Sequence, residues 1–159
     1  MLSDESISKF RSEVIEHTIN IEWIVNVIIS QHYFRRVLLP FVLEFLYDEY
    51  CTFALKRRVL EKIVPDFDKH KLQDLNRVNT IRNYFAHCGQ ELTVGSDPTN
   101  PSASSRVVDP RNLERGVDFE KLHKEFVAIA GSLEEYLGRV YVTKGGILRK
   151  KDDFKKGNN

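Results

Sequence analysis

Cysteine is nearly absent from this 159-residue chain: Cys51 and Cys88 are the only two, and neither sits in a CxxC or Cys/His ligand spacing. A disulfide scaffold and a structural zinc site are therefore not expected, and the usage fits a reducing, cytoplasmic setting. Glycine is sparse, eight residues in all, and no glycine-rich phosphate loop occurs. Long apolar runs are also missing. The stretch Ile24 to Ile29 is short and carries Asn26 in its middle, so no segment is expected to span a bilayer and no membrane partner is anticipated. The first residues, MLSDES, are acidic rather than basic and lead into an amphipathic stretch, unlike a secretory signal. Excess charge of one sign is lacking as well, with 24 basic against 23 acidic residues and a net charge of +1. No global field attracts nucleic acid or an anionic surface, so binding of either must come from a local patch. His17, His32, His70 and His123 stand singly, with no HExxH or ExxH pair; each reads as a surface or boundary histidine, and no metal or other cofactor is expected.

What the chain does have is apolar content, 42%, enough for one domain with a self-sufficient core. Its spacing is helical. Ile7, Phe10, Val14, Ile21, Ile24 and Ile28 recur at steps of three and four, or their sum, behind a capping Ser3 or Asp4, predicting a long first helix that ends near Tyr33. A second helix is predicted from Pro40, with Val42, Phe45, Leu46, Tyr50, Phe53, Leu60 and Ile63 on one stripe and Pro65 as its stop. Asp66 or Asp68 opens a third, with Leu72, Leu75, Val78, Ile81 and Phe85 inward and Gly89 beyond its end. A fourth follows a cap at Asp118 and carries Phe119, Leu122, Phe126, Ile129, Leu133 and Leu137. The expectation is an all-α, antiparallel four-helix bundle over residues 1–138. Residues 92–116, with GSDPTNPSASS inside, read as a long loop between helices three and four. Residues 139–159 form a tail with seven basic residues against two acidic, expected to begin as a short hairpin at VYVTKGGIL and then to be disordered.

The chemistry concentrates on helix three. Asn76, Asn79, Asn83 and His87 fall within an arc of about 80° beside the apolar stripe, and Arg82 lies close to that stripe. A guanidinium there needs an anion or a partner surface, because desolvating it unpaired costs several kcal/mol, of order. Asparagine is also a weak helix former where Lys or Glu would serve better on a solvated face. A bland alternative is a satisfied polar seam between helices. Cys88, although beside His87, diverges from it by 100° with no third supporting group, and reads as small packing. Trp23 reads as core or interface packing.

The segment Arg82-Asn83-Tyr84-Phe85-Ala86-His87, closing the third of four helices, resembles the RNxxxH form of the R-x4-6-H signature of HEPN domains. Arg11 and His17 meet the looser spacing too, without the adjacent Asn or the helix-ending glycine, and read as an accidental match. The resemblance implies a metal-independent endoribonuclease acting as a homodimer, whose two-fold axis brings both copies' motifs together. In that reading the RNA 2′-hydroxyl attacks its own 3′ phosphate, His87 moves a proton, Arg82 neutralises the phosphoryl oxygens and Asn83 orients the group. Asn76 and Asn79 extend the stripe as substrate-binding candidates. Family members also take a polar residue from helix one, here Glu22 or Asn26, and Lys150 and Lys151 of the tail are further phosphate-binding candidates. Such domains occur in phage defence and in toxin-antitoxin pairs, so the resemblance implies an antitoxin or regulatory partner. Gly89, however, stands where many of those toxins carry a modifiable tyrosine. Other members are noncatalytic nucleotide-binding or scaffold domains, which is the alternative expectation.

Overall fold

The computed structural model describes residues 4–87, 108–109, 112–116 and 118–145. Apart from connecting turns and one small ribbon, these residues are helical. Helix α1 spans Asp4–Phe34, one residue beyond the sequence expectation. The predicted second helix is two elements: a π-helical turn, Phe41–Leu46, and helix α2, Phe53–Ile63. Asp48 and Thr52 cause the break. The Asp48 carboxylate accepts from the Tyr50 amide at 2.9 Å, its carbonyl accepts from Cys51 at 3.0 Å, and the Thr52 hydroxyl then caps α2 by accepting from Leu55. Short polar side chains thus capture backbone donors that a continuous helix would need. Tyr50, expected on the buried stripe, is 82% exposed as a result.

Helix α3 spans Lys69–His87. Of its two candidate openers Asp68 is the cap, with its carboxylate on the His70 amide at 2.8 Å and its own amide donating to the Tyr136 hydroxyl at 3.0 Å. The segment expected as a bare loop carries an antiparallel pair, β1 (Val108–Asp109) and β2 (Asn112–Gly116). Helix α4, capped by Asp118 as expected, spans Phe119–Thr143. It runs past the anticipated boundary at residue 138, so Val140 to Thr143 are helix and not the start of a hairpin. Val140 is buried, which extends the α4 stripe by one more turn. Gly89, Cys88 and the tail from residue 146 lie outside the described residues.

The helix directions also depart from a simple antiparallel bundle. Glu13 reaches His123, His17 reaches Glu134, and Gln31 reaches the Lys144 carbonyl, so α1 and α4 run side by side in the same direction. The break at residues 47–52 reverses the chain, and α2 then climbs from Lys56, beside Glu22, to Ile63, beside Lys144. Only α3 runs the opposite way, from Lys71 against Ser132, through Arg77 against Glu125, to Phe85 against Phe119. Buried Val14, Ile21, Val25, Ile28, Leu60, Leu75, Val78, Ile81, Phe85, Phe126, Leu133 and Leu137 form one core. Between Val25 and Gln31 every α1 residue is buried, because α2, the π-helical turn and α4 enclose that half.

One buried polar group sits at mid-height. Lys56, 1% exposed, donates to Glu22, 27% exposed, at 2.5 Å, with its ammonium 5.0 Å from the Tyr47 ring centroid. Asn26, wholly buried, lies near enough to the Tyr47 hydroxyl to act on its acidity, yet neither of its amide atoms makes a hydrogen bond of full geometry. Burial pushes the Cys51 thiol above its ordinary value, which makes it a poor nucleophile.

Candidate functional site

The last two turns of α3 carry the motif. Val78, Ile81 and Phe85 anchor the helix to the core, and this fixes which way the intervening side chains point. Arg82 is exposed, and its Nη1 donates to the Asn83 Oδ1 at 3.1 Å. The expectation that the chain strands Arg82 in a desolvated position is therefore corrected: the guanidinium is solvated. Its wheel position is near the apolar stripe as expected, but α2, with 11 residues, covers only about 16 Å of the roughly 28 Å length of α3. Below the start of α2 that flank is open.

Asn83 and Asn79 are half-buried, while Asn76 and His87 are exposed. Among the described residues none of these side chains bonds to another helix, which removes the interhelical polar seam as an account of the stripe. The Asn76 carbonyl accepts from the Thr80 hydroxyl at 3.0 Å, an ordinary intrahelical contact. Arg82 and His87 themselves are about 140° apart around the helix axis. A single copy does not point both at one phosphate, and a composite arrangement across two copies is the geometry that would.

Arg77, one and a half turns earlier, shows how a structural arginine differs. Its Nε and Nη2 grip both oxygens of Glu125, at 2.5 and 2.7 Å. Hydrogen bonding from Arg77 holds the Glu125 carboxyl below its ordinary value and raises that of Arg77 in return. Arg82 and His87 have no carboxylate partner among the described residues.

Sequence reasoning missed the contact that Arg11 makes with this helix end. Its Nε donates to the Phe85 carbonyl at 3.0 Å, across 74 positions of sequence. This carbonyl belongs to the last turn of α3, whose acceptors have no intrahelical donor, and a cation there also suits the negative end of the helix dipole. Arg11 therefore bonds the carbonyl two residues before His87. Only proximity to a helix end marks such a role, and no sequence pattern encodes which helix end that is. His17, the other half of that match, faces α4 instead and bonds Glu134 at 2.9 Å; His123 likewise bonds Glu13 at 2.7 Å and stacks on Phe10 at 4.0 Å.

Glu22 is not brought to the motif. It holds Lys56, and it lies about 16 Å along α1 from Arg11; Asn26 is a turn further still. Lys150 and Lys151 lie outside the described residues. Among the described residues no three His, Cys, Asp or Glu side chains gather into a metal site, and no helix is long and apolar enough to cross a membrane. Comparison with protein-family models, with curated proteins and with solved structures finds no match for this chain.

Proposed function

We propose that the chain is a metal-independent endoribonuclease of HEPN type, working as a homodimer that joins Arg82 of one copy to His87 of the other. The observation that carries this reading is the exposed Arg82 and His87 with half-buried Asn83 between them, free of carboxylate partners among the described residues and backed by Arg11 on the same helix end. A fixed guanidinium forks onto phosphate, an imidazole exchanges protons near neutral pH, and a second arginine adds positive charge beside it. Asn83 steadies Arg82, and Asn79 and Asn76 continue a polar edge along which a strand could be held. Ile19 and Trp23, one turn apart on α1 and 54% and 38% exposed, supply apolar area for a second copy.

The test is incubation of purified RNA with the protein in excess EDTA. Cleavage giving a cyclic or 3′ phosphate and a 5′ hydroxyl, lost in His87→Ala, supports the reading. A requirement for added magnesium overturns it. A monomer at micromolar concentration by light scattering overturns the composite arrangement. Wild type and His87→Ala equally inert on RNA, with a nucleotide still retained, would assign the chain instead to the noncatalytic branch.

A further inference from the structure

The opposite end of the bundle gathers a second set of cations, in different company. α1 ends at Phe34, and Arg35 then adopts φ 59, a left-handed conformation that glycine takes freely and a Cβ resists. Two buried side chains hold it there. The Arg35 amide donates to the Gln31 carbonyl at 3.0 Å, and the Gln31 amide group donates to the carbonyls of Arg35 and Lys144 at 3.1 and 3.3 Å. The Ser30 hydroxyl donates to the Arg36 carbonyl at 3.2 Å and accepts from the Leu38 amide at 2.8 Å. The turn is thus fixed from inside while Arg35 and Arg36 stand exposed. A strained position that keeps an arginine where glycine is easier invites a functional explanation.

Lys144 joins them from α4, and its ammonium donates to the Ile63 carbonyl and to the His32 Nδ1, both uncharged partners. None of the ion pairs among the described residues uses Arg35, Arg36 or Lys144. Glu44, the acidic residue nearest to Arg35 and Arg36 in sequence, makes no ion pair with them among the described residues. The His32 imidazole is held below its ordinary value, first by burial and then by the charges of Lys144 and Arg35. Beside these cations run exposed rings. Phe34 meets Phe41 at 4.9 Å, and Phe41 stacks with Phe45 at 5.3 Å and 15°; Tyr33 and Phe45 are 59% and 60% exposed.

We propose that this end is a docking platform for single-stranded nucleic acid, with Arg35, Arg36 and Lys144 on phosphates and Tyr33, Phe34 and Phe45 under bases. Exposed aromatic faces beside uncompensated cations suit a strand whose bases are unpaired, since every base offers a π-face and every link a charge. The chain continues from Gly145 into a segment with five basic residues and two acidic, of matching sign. This inference stands on the geometry of this end alone, about 32 Å along α1 from Arg11, and does not depend on His87.

The probe is a short fluorescein-labelled oligodeoxythymidylate, read by anisotropy. It lacks a 2′-hydroxyl and so is not a substrate for the proposed cleavage. Binding should weaken with salt, with a log-log slope of about −2, as three phosphate contacts on a single strand give. Phe45→Ala should weaken binding roughly tenfold. Arg35→Gly should weaken it several-fold and shrink the slope by about 0.7, while the melting temperature holds or rises because the strained turn relaxes. No binding at low salt overturns the platform, as does binding that neither substitution changes. Uptake by phosphatidylglycerol vesicles without oligonucleotide binding reassigns the end to a membrane, and loss of self-association in Phe45→Ala with binding intact reassigns it to a second copy. Binding without RNA cleavage would remove the ribonuclease reading and leave this one standing; cleavage without binding would do the reverse.

Discussion

The two ends of α1 both collect arginines but surround them differently. At the C-terminal end of α3, Arg82 bonds Asn83 and shares the last two turns with His87, and Arg11 is tied to a main-chain carbonyl. At the other end, Arg35 and Arg36 stand beside stacked rings with only uncharged partners for the neighbouring Lys144. The charge is the same and the neighbours decide its use: an imidazole can move a proton, whereas a ring offers only a face. The comparison also separates arginines that hold the fold from those that do not. Arg77, locked onto Glu125, belongs to the first kind, and among the described residues nothing comparable restrains Arg82, Arg35 or Arg36.

The sharpest way to break this comparison is to substitute one end and read both. His87→Ala and Arg82→Ala should each lower RNA cleavage by about a hundredfold or more, the usual scale for losing a proton-transfer or charge-stabilising group. Oligodeoxythymidylate binding at the far end should stay within about twofold. If binding falls in parallel, the two ends are one site. Glu22→Ala comes next. It leaves Lys56 buried without its partner, and chemical denaturation should show about 2 kcal/mol lost, below the range for fully buried pairs because Glu22 is partly exposed. Because this pair lies between the ends, both activities should decline together with folding. Replacing Glu22 and Lys56 by Leu and Met should largely restore stability, which would show that the pair sets helix register more than it stabilises.

Arg11→Ala should lower cleavage roughly tenfold, with Arg11→Lys intermediate, since a point charge replaces the directed Nε donor. Cleavage at the wild-type rate would return Arg11 to a purely structural role. His17→Ala should leave cleavage near wild type. The smallest effect concerns acid. The folded-state value of Glu125 is lowered, so its contribution is present above the unfolded carboxylate value and is lost as pH falls through the folded one. Glu125→Gln should therefore cost up to about 1 kcal/mol at neutral pH, with allowance for its partial exposure. That difference should vanish in thermal melts taken well below pH 4.

Much of the helical content is written in the sequence, because apolar steps of three and four report burial directly. Phe119 through Leu137 on α4 and Leu75 through Phe85 on α3 are inward where the spacing places them. The break at residues 47–52 is less legible. Tyr50 has the right hydrophobicity for a stripe, and only the capture of amides by Asp48 and Thr52 shows that the stripe stops. Helix direction is not legible at all: the parallel course of α1 and α4 depends on that reversal, and periodicity carries no information about direction. At the candidate site, the order Arg82-Asn83-x-x-x-His87 is a local pattern and can be seen. Arg11 cannot, since its partner is a backbone carbonyl 74 residues away. Glu22 was a reasonable candidate by type, but its neighbour Lys56 is identified only by the fold.

The parallel pairing of α1 with α4 also sets an order of events during synthesis. His17 and Glu134 are 117 residues apart, so the principal neighbour of α1 is made more than a hundred residues after it. Until α4 leaves the ribosome, Val14, Ile21, Val25 and Ile28 lack the face that covers them most extensively, and closing so distant a contact is slow relative to forming the helices. The nascent chain thus carries an unsatisfied amphipathic helix for most of its translation, a window in which a holding chaperone or a second nascent copy has the same surface to bind that α4 later occupies.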